Sequence, residues 1–116
     1  MPESHQYQPN DSYNLTATIA NGATESNEID LNGTDLIGLF MPSTFDGSTV
    51  QIKAAPASGG TFVTVQSGGV DFTLTTAASK YCPVENLPVV AGLRFIKLVT
   101  GTQTGDTAIT LATRPL

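Results

Sequence analysis

The side chains able to do chemistry are few and scattered along this chain. There is one cysteine, Cys82, and one histidine, His5. A catalytic thiol needs a neighbouring base or cation to populate its thiolate. His5 falls in a polar N-terminal stretch with Pro2 and Pro9, so Cys82 reads as a small buried apolar residue. A lone cysteine also excludes an internal disulfide. The densest acidic group is Glu25, Glu28, Asp30 and Asp35. Loop carboxylates can hold Ca²⁺ through oxygen ligands. Their spacing here follows no metal-loop rule, and Glu28 and Asp30 alternate with Ile29 and Leu31 as the wet side of a strand. A solvated acidic rim is expected, with no metal and no other cofactor. Paired carboxylates for glycoside hydrolysis need a cleft and a set separation, which small loops do not build. The Gly59-Gly60, Gly68-Gly69 and Asn-Gly pairs are turn chemistry, and none opens a helix as a phosphate loop does. The chain is not expected to be an enzyme.

Binding chemistry is equally sparse. The bases are Lys53, Lys80, Arg94, Lys97 and Arg114, against ten acidic residues, for a net charge of −5 and a pI near 4.4. Nucleic-acid binding relies on clustered Lys and Arg to displace counterions, so no nucleic-acid partner is expected. Anionic membranes are disfavoured for the same reason, and no apolar run approaches the ~18 residues of a spanning helix. The odd spacing of Arg94 and Lys97 places them on opposite faces of one strand. Two roles stay open for them: a long stem covering apolar surface, or an ion pair with a neighbouring acidic subunit. Tyr7, Tyr13 and Tyr81 could stack on sugar rings, but such platforms usually lean on Trp, and there is none. Tyr81 is expected at the core edge with its hydroxyl in water.

The elements that must position these residues are all strands. The run Leu36-Ile37-Gly38-Leu39-Phe40-Met41, stopped by Pro42, is uncharged and reads as a strand covered on both faces. Gly38 is tolerable there if another backbone comes close. Its counterpart late in the chain is Leu93 to Val99. Leu15, Ala17 and Ile19 alternate with Asn14, Thr16 and Thr18 as a half-buried strand. Further strands are read at Ile29 to Leu31, Val50 to Ala54, Phe62 to Val65, Val70 to Leu74 and Ile109 to Thr113, with Tyr81-Cys82 as a short edge strand. Glu85 to Pro88 reads as a turn or one helical turn. Eight strands and a short ninth, with no 3.6-residue period, predict an all-β antiparallel sandwich of two sheets. Eight strands suit a jelly roll, and an immunoglobulin-like sandwich is the alternative. Residues 1–12 read as a short polar N-terminal arm and 13–116 as a single β-sandwich domain. The first residues lack the basic and apolar regions of a secretory signal, so the chain is expected to stay in the cytosol of its producer or assemble there into something larger.

The order of these pieces carries a resemblance. Asn14 to Thr24 leads into Glu28-Ile29-Asp30-Leu31-Asn32-Gly33, then Leu36–Met41 with Pro42, then Val50-Gln51-Ile52-Lys53-Ala54-Ala55 before a Gly-Gly turn. The chain closes on Leu93 to Val99 and Ile109 to Pro115. Over about residues 13–115 this resembles the small jelly-roll capsid decoration, or cement, proteins of tailed bacteriophages. The resemblance implies a virion structural protein on the outer surface of the capsid, made in the host cytoplasm. It implies the major capsid protein and further copies of this chain, as homodimer or homotrimer, as partners. Contact is then expected through His5, Tyr7, Gln8 and Pro9 of the arm and through Arg94 and Lys97. Another virion module, such as a head fibre base, tail or baseplate part, or a carbohydrate-binding module are the alternatives.

Overall fold

The computed structural model describes residues 14–115. Strands β1 (Leu15–Ile19), β11 (Thr107–Pro115), β3 (Thr34–Phe40) and β9 (Tyr81–Pro83) form a four-stranded antiparallel sheet in that order. The second sheet runs β2 (Ile29–Asp30), β10 (Phe95–Val99), β4 (Thr49–Ala55) and β5 (Val63–Thr64), with β8 (Thr73–Thr75) beside β5 on the same flank of β4. Strands β6 (Gln66–Ser67) and β7 (Val70–Asp71) make a separate hairpin. The one helix among the described residues is α1 (Leu87–Val90). The result is an all-β antiparallel sandwich, as the alternating pattern requires.

The core is the meeting of the two inner faces. Ala17, Ile19, Leu36, Leu39, Ile109 and Leu111 from one sheet pack with Ile29, Val50, Ile52, Leu74, Ile96 and Leu98 from the other. Burying each Leu or Ile contributes about 1.5–3 kcal/mol. Leu36 and Leu39 are three apart, which a regular strand would place on opposite faces. The register shifts here: Leu36 pairs with Thr113 and Gly38 with Ala112, so Ile37 is an extra residue. This bulge turns both leucines inward.

Three expectations need correction. Leu36–Met41 is not covered on both faces, because Phe40 is 47% exposed on the outer side. The strand also begins earlier, at Thr34. Of two further predicted strands, Phe62 to Val65 shortens to Val63–Thr64 and Val70 to Leu74 is broken in two at Phe72. The chain leaves β4 after β5, forms the β6–β7 hairpin, and returns as β8. The Val65 N–H donates to Ile52 O and the Phe72 N–H to Val65 O, closing the base of this excursion. Gly68 and Gly69 form its two-residue turn with φ of 64° and 83°. Positive φ at both positions matches the twist of a hairpin and favours glycine.

One end of the sandwich is built on a polar side chain. Gln103 has 0% exposure. Its Nε2 donates to Asp46 O at 2.9 Å, Gly101 O at 3.0 Å and Thr100 Oγ1 at 3.2 Å. Its Oε1 accepts from the Asp46 N–H at 2.9 Å and from Thr107 Oγ1. The amide therefore pairs with the Asp46 peptide unit as a neighbouring strand would. Its own backbone accepts from Gly22 and donates to Ala23 O. Three loops, 20–24, 42–48 and 100–106, meet on this one residue. Removing it strands buried partners, which costs more than the bonds were worth. Gln103→Ala is expected to lower stability by about 2–3 kcal/mol. Chemical denaturation checks this, and a change under about 0.5 kcal/mol, ordinary for a surface site, would show that the loops hold without it.

Candidate interaction surface

The two outer faces of the sandwich differ in chemistry. On the five-stranded sheet, Phe95 pairs with Asp30 and Lys97 with Lys53, and all four point outward. Arg94 precedes β10, so strand alternation does not bind it. Its guanidinium folds onto the outer face, donating through Nε to Asp30 Oδ1 at 3.0 Å and through its second nitrogen to Oδ2 at 3.2 Å. It also lies 4.9 Å from the Phe95 ring centroid. Arg94 and Lys97 therefore share one face, against the opposite-face expectation. Lys97 sits 4.7 Å over the Phe62 ring, a cation–π contact.

The acidic group resolves into separate partnerships on that face. Glu25 is hydrogen-bonded to Lys53, which separates the like charges of Lys53 and Lys97. Glu28 accepts from Ser58 Oγ at 2.6 Å and from the Gly59 N–H at 2.8 Å. Asp35 stands apart, opposite Arg114 on the other sheet. The expected acidic rim is thus a network of three carboxylates and three cations. The bond from Lys53 holds the Glu25 carboxyl below its ordinary 4.5. The Gly59 N–H and Ser58 hydroxyl do the same for Glu28, and Arg94 for Asp30, whose ordinary value is 3.8. Thr104 lowers Asp46 likewise. No group of three or more His, Cys, Asp or Glu is placed to hold a metal among the described residues.

The outer face of the four-stranded sheet carries no such network. Pairing places Thr16 opposite Thr110 and Thr18 opposite Ala108. Phe40 faces Tyr81, and Gly38 faces Pro83. These positions are uncharged, and the charged pair of this sheet, Asp35 opposite Arg114, lies at the other end of β3. Phe40 and Tyr81 are 47% and 43% exposed, their centroids 4.6 Å apart and their planes tilted by 49°. Gly38 explains the arrangement. A Cβ there would stand 2.2 Å from Tyr81 Oη and 2.4 Å from Cζ. The glycine makes room for a ring, not for the second backbone expected from sequence. Tyr81 accordingly lies flat across the sheet, shielding a glycine as aromatic residues do in strands.

Of the residues singled out from sequence, Arg94 and Lys97 are brought together but already have partners within the chain. His5, Tyr7, Gln8 and Pro9 lie outside the described residues. Cys82 is buried, as expected. A shallow recess of about 460 Å³ lies between Ala54, Ala55, Pro56, Gly92, Leu93 and Arg94; no Ser, Thr, Cys, His, Asp or Glu lines it. No helix among the described residues is long and apolar enough to cross a membrane. The sequence reading missed Phe40 as a surface residue, although its place at the end of β3, two residues before Pro42, was a usable signal.

Two outcomes follow. The carboxylates whose values are lowered in the folded chain contribute stability that is fully present above their ordinary values. It is lost as pH falls through the lowered folded values. Thermal melting should hardly change between pH 7 and about 5 and should fall below about 4.5; a midpoint that is flat or rises on acidification contradicts the network. Second, Gly38→Ala pushes the Tyr81 ring off the sheet. In a Tyr81→Ala background the same change should gain about 0.5–1 kcal/mol from backbone entropy. Denaturation of the four proteins should therefore show non-additivity, and strictly additive effects would mean the ring does not rest on Gly38.

No protein-family model, curated protein or solved structure matches this chain.

Proposed function

We propose that this chain is a bacteriophage virion structural protein, a capsid decoration or cement protein of the jelly-roll type. It binds the outer capsid shell and bridges capsomers, so stabilising the expanded head. The observation that carries the reading is the division between the two outer faces. One face satisfies its charges internally. The other carries a patch of threonine, alanine and glycine around the exposed Phe40 and Tyr81, with its charged positions, Asp35 opposite Arg114, at the other end of β3. Paired exposed aromatics on a rigid sheet are suited to anchoring a protein contact. The same features favour adhesion over catalysis, and the order of strands supplies the resemblance to decoration proteins. Many copies on one shell let a modest contact hold by avidity.

Purified expanded shells lacking this protein are mixed with it and pelleted, and bound copies and shell melting temperature are measured. Saturable binding with a raised shell melting temperature is expected. Phe40→Ser and Tyr81→Ser, both at exposed positions, should each weaken binding by about tenfold or more, the loss of one anchor. Shells that bind no protein would reject the reading. Localisation of labelled protein to the tail would favour another virion module. The exposed aromatic pair also suits sugar stacking, and a glycan array hit abolished by Tyr81→Ser would favour a carbohydrate-binding module.

A further inference from the structure

The two long sides of the sandwich are finished differently. On one side the edges of β1 and of the chain entering β2 are stitched together. Asn27 Oδ1 accepts from the Thr18 N–H at 2.8 Å, and the Asn27 N–H donates to Thr18 O. The other side, where β8 and β9 are the edges, has no such stitch among the described residues. A recess of about 220 Å³ separates them, lined by Phe72, Thr73, Leu74, Thr75, Pro83 and Glu85. The Thr76 hydroxyl beside it is buried without a hydrogen-bond partner. The two most exposed large apolar side chains of the described residues also belong to this side. They are Val63 on β5, at 61%, and Val70 on β7, at 68%.

The backbone of β8 is open in a defined way. The Thr76 N–H donates to Ser48 O, continuing the ladder in which Leu74 faces Val50. Within an antiparallel strand, the N–H and C=O of one residue point the same way and alternate from residue to residue. Residues 72, 74 and 76 therefore turn toward β4 and its hairpin. Thr73 and Thr75 turn their N–H and C=O groups outward, and no described residue takes them. The stretch from Phe72 to Ser79 carries no charge and no proline, so it lacks the usual protection of an edge strand. The β9 edge is blunted by Pro83, and β1 has already given its Thr18 groups to Asn27.

We propose that β8 is a dimerisation strand. It pairs antiparallel with β8 of a second copy about a two-fold axis at Leu74, joining the two five-stranded sheets into one. Self-pairing fits this edge because its two outward residues are both threonine. Thr73 comes opposite Thr75 of the partner subunit, each pair exchanging two backbone hydrogen bonds. Cross-strand threonine pairs are favourable, and Leu74 meets its own copy on the apolar side. A closed, isologous contact of this kind stops at the dimer. An edge free of charge also lets a chain of net charge −5 approach itself. The proposal stands independently of any capsid, since it concerns the free protein.

Sedimentation equilibrium over about 5–500 μM tests it, a range that captures weak strand pairing. A monomer–dimer equilibrium is expected, with the Thr73 and Thr75 amides gaining hydrogen-exchange protection as concentration rises. Thr75→Pro removes one outward N–H that the β4 ladder does not use, and should leave a folded monomer. Should proline disturb β8, the double variant Thr73→Lys and Thr75→Lys keeps the backbone and places four cations around the axis. It should weaken association by about tenfold or more through like-charge opposition. A protein monomeric throughout this range, or a dimer indifferent to both variants, would overturn the proposal.

Discussion

Both sheets depend on strands that arrive last. β11 lies between β1 and β3, and β10 between β2 and β4. Without them, β1 and β3 have no hydrogen-bonded neighbour in common, and β2 pairs with nothing. The first half of the chain therefore cannot finish either sheet by itself. Closing such distant pairs requires loop entropy to be overcome before contacts reward it, which places the fold among the slow, non-local β topologies. The same constraint makes the inner face of β11 decisive: Thr107, Ile109, Leu111 and Thr113 are all buried. Its two threonines sit toward the strand ends, where Thr107 finds Gln103 and Gly105 as partners.

Once the inner faces are committed to each other, the outer faces are free to differ. The five-stranded sheet pairs Lys53 with Glu25 and Arg94 with Asp30, gives Glu28 to Ser58 and the Gly59 N–H, and lays Lys97 over Phe62. Each exposed pair contributes little alone, but together they leave that face with no net charge. The remaining excess of acid therefore lies elsewhere on the molecule. The four-stranded sheet carries threonine, alanine and glycine over much of its outer side, with Asp35 opposite Arg114 at one end, and the absence of a side chain at Gly38 lets Tyr81 lie down beside Phe40.

Side-chain amides do work here that backbone does elsewhere. Gln103 pairs with the Asp46 peptide at one end of the sandwich, and Asn27 pairs with Thr18 along one side. Both satisfy groups that would otherwise be stranded where strands stop or sheets part. Among the described residues the β8 side has no equivalent, and that difference between two otherwise similar sides is what distinguishes it.

Much of this was legible in the sequence. Alternation at Leu15–Ile19, Val50–Ala54 and Ile109–Thr113 determined strand, inward face and class, because a period of two leaves one way to bury the apolar residues. Gly68-Gly69 determined a tight hairpin, and a lone buried Cys82 was expected from its type. Tertiary structure decided what periodicity cannot express. The bulge at Ile37 changed which residues of β3 face in. Arg94 escaped strand parity because it precedes the ladder, and it reached Asp30, 64 residues earlier. Gln103 gave no signal, since a buried amide is defined only by the loops that converge on it. The sequence by itself determined the local alternation that makes a sandwich. Which polar groups would meet across it was left to the fold, because hydrogen bonds between distant residues depend on positions that no local pattern records.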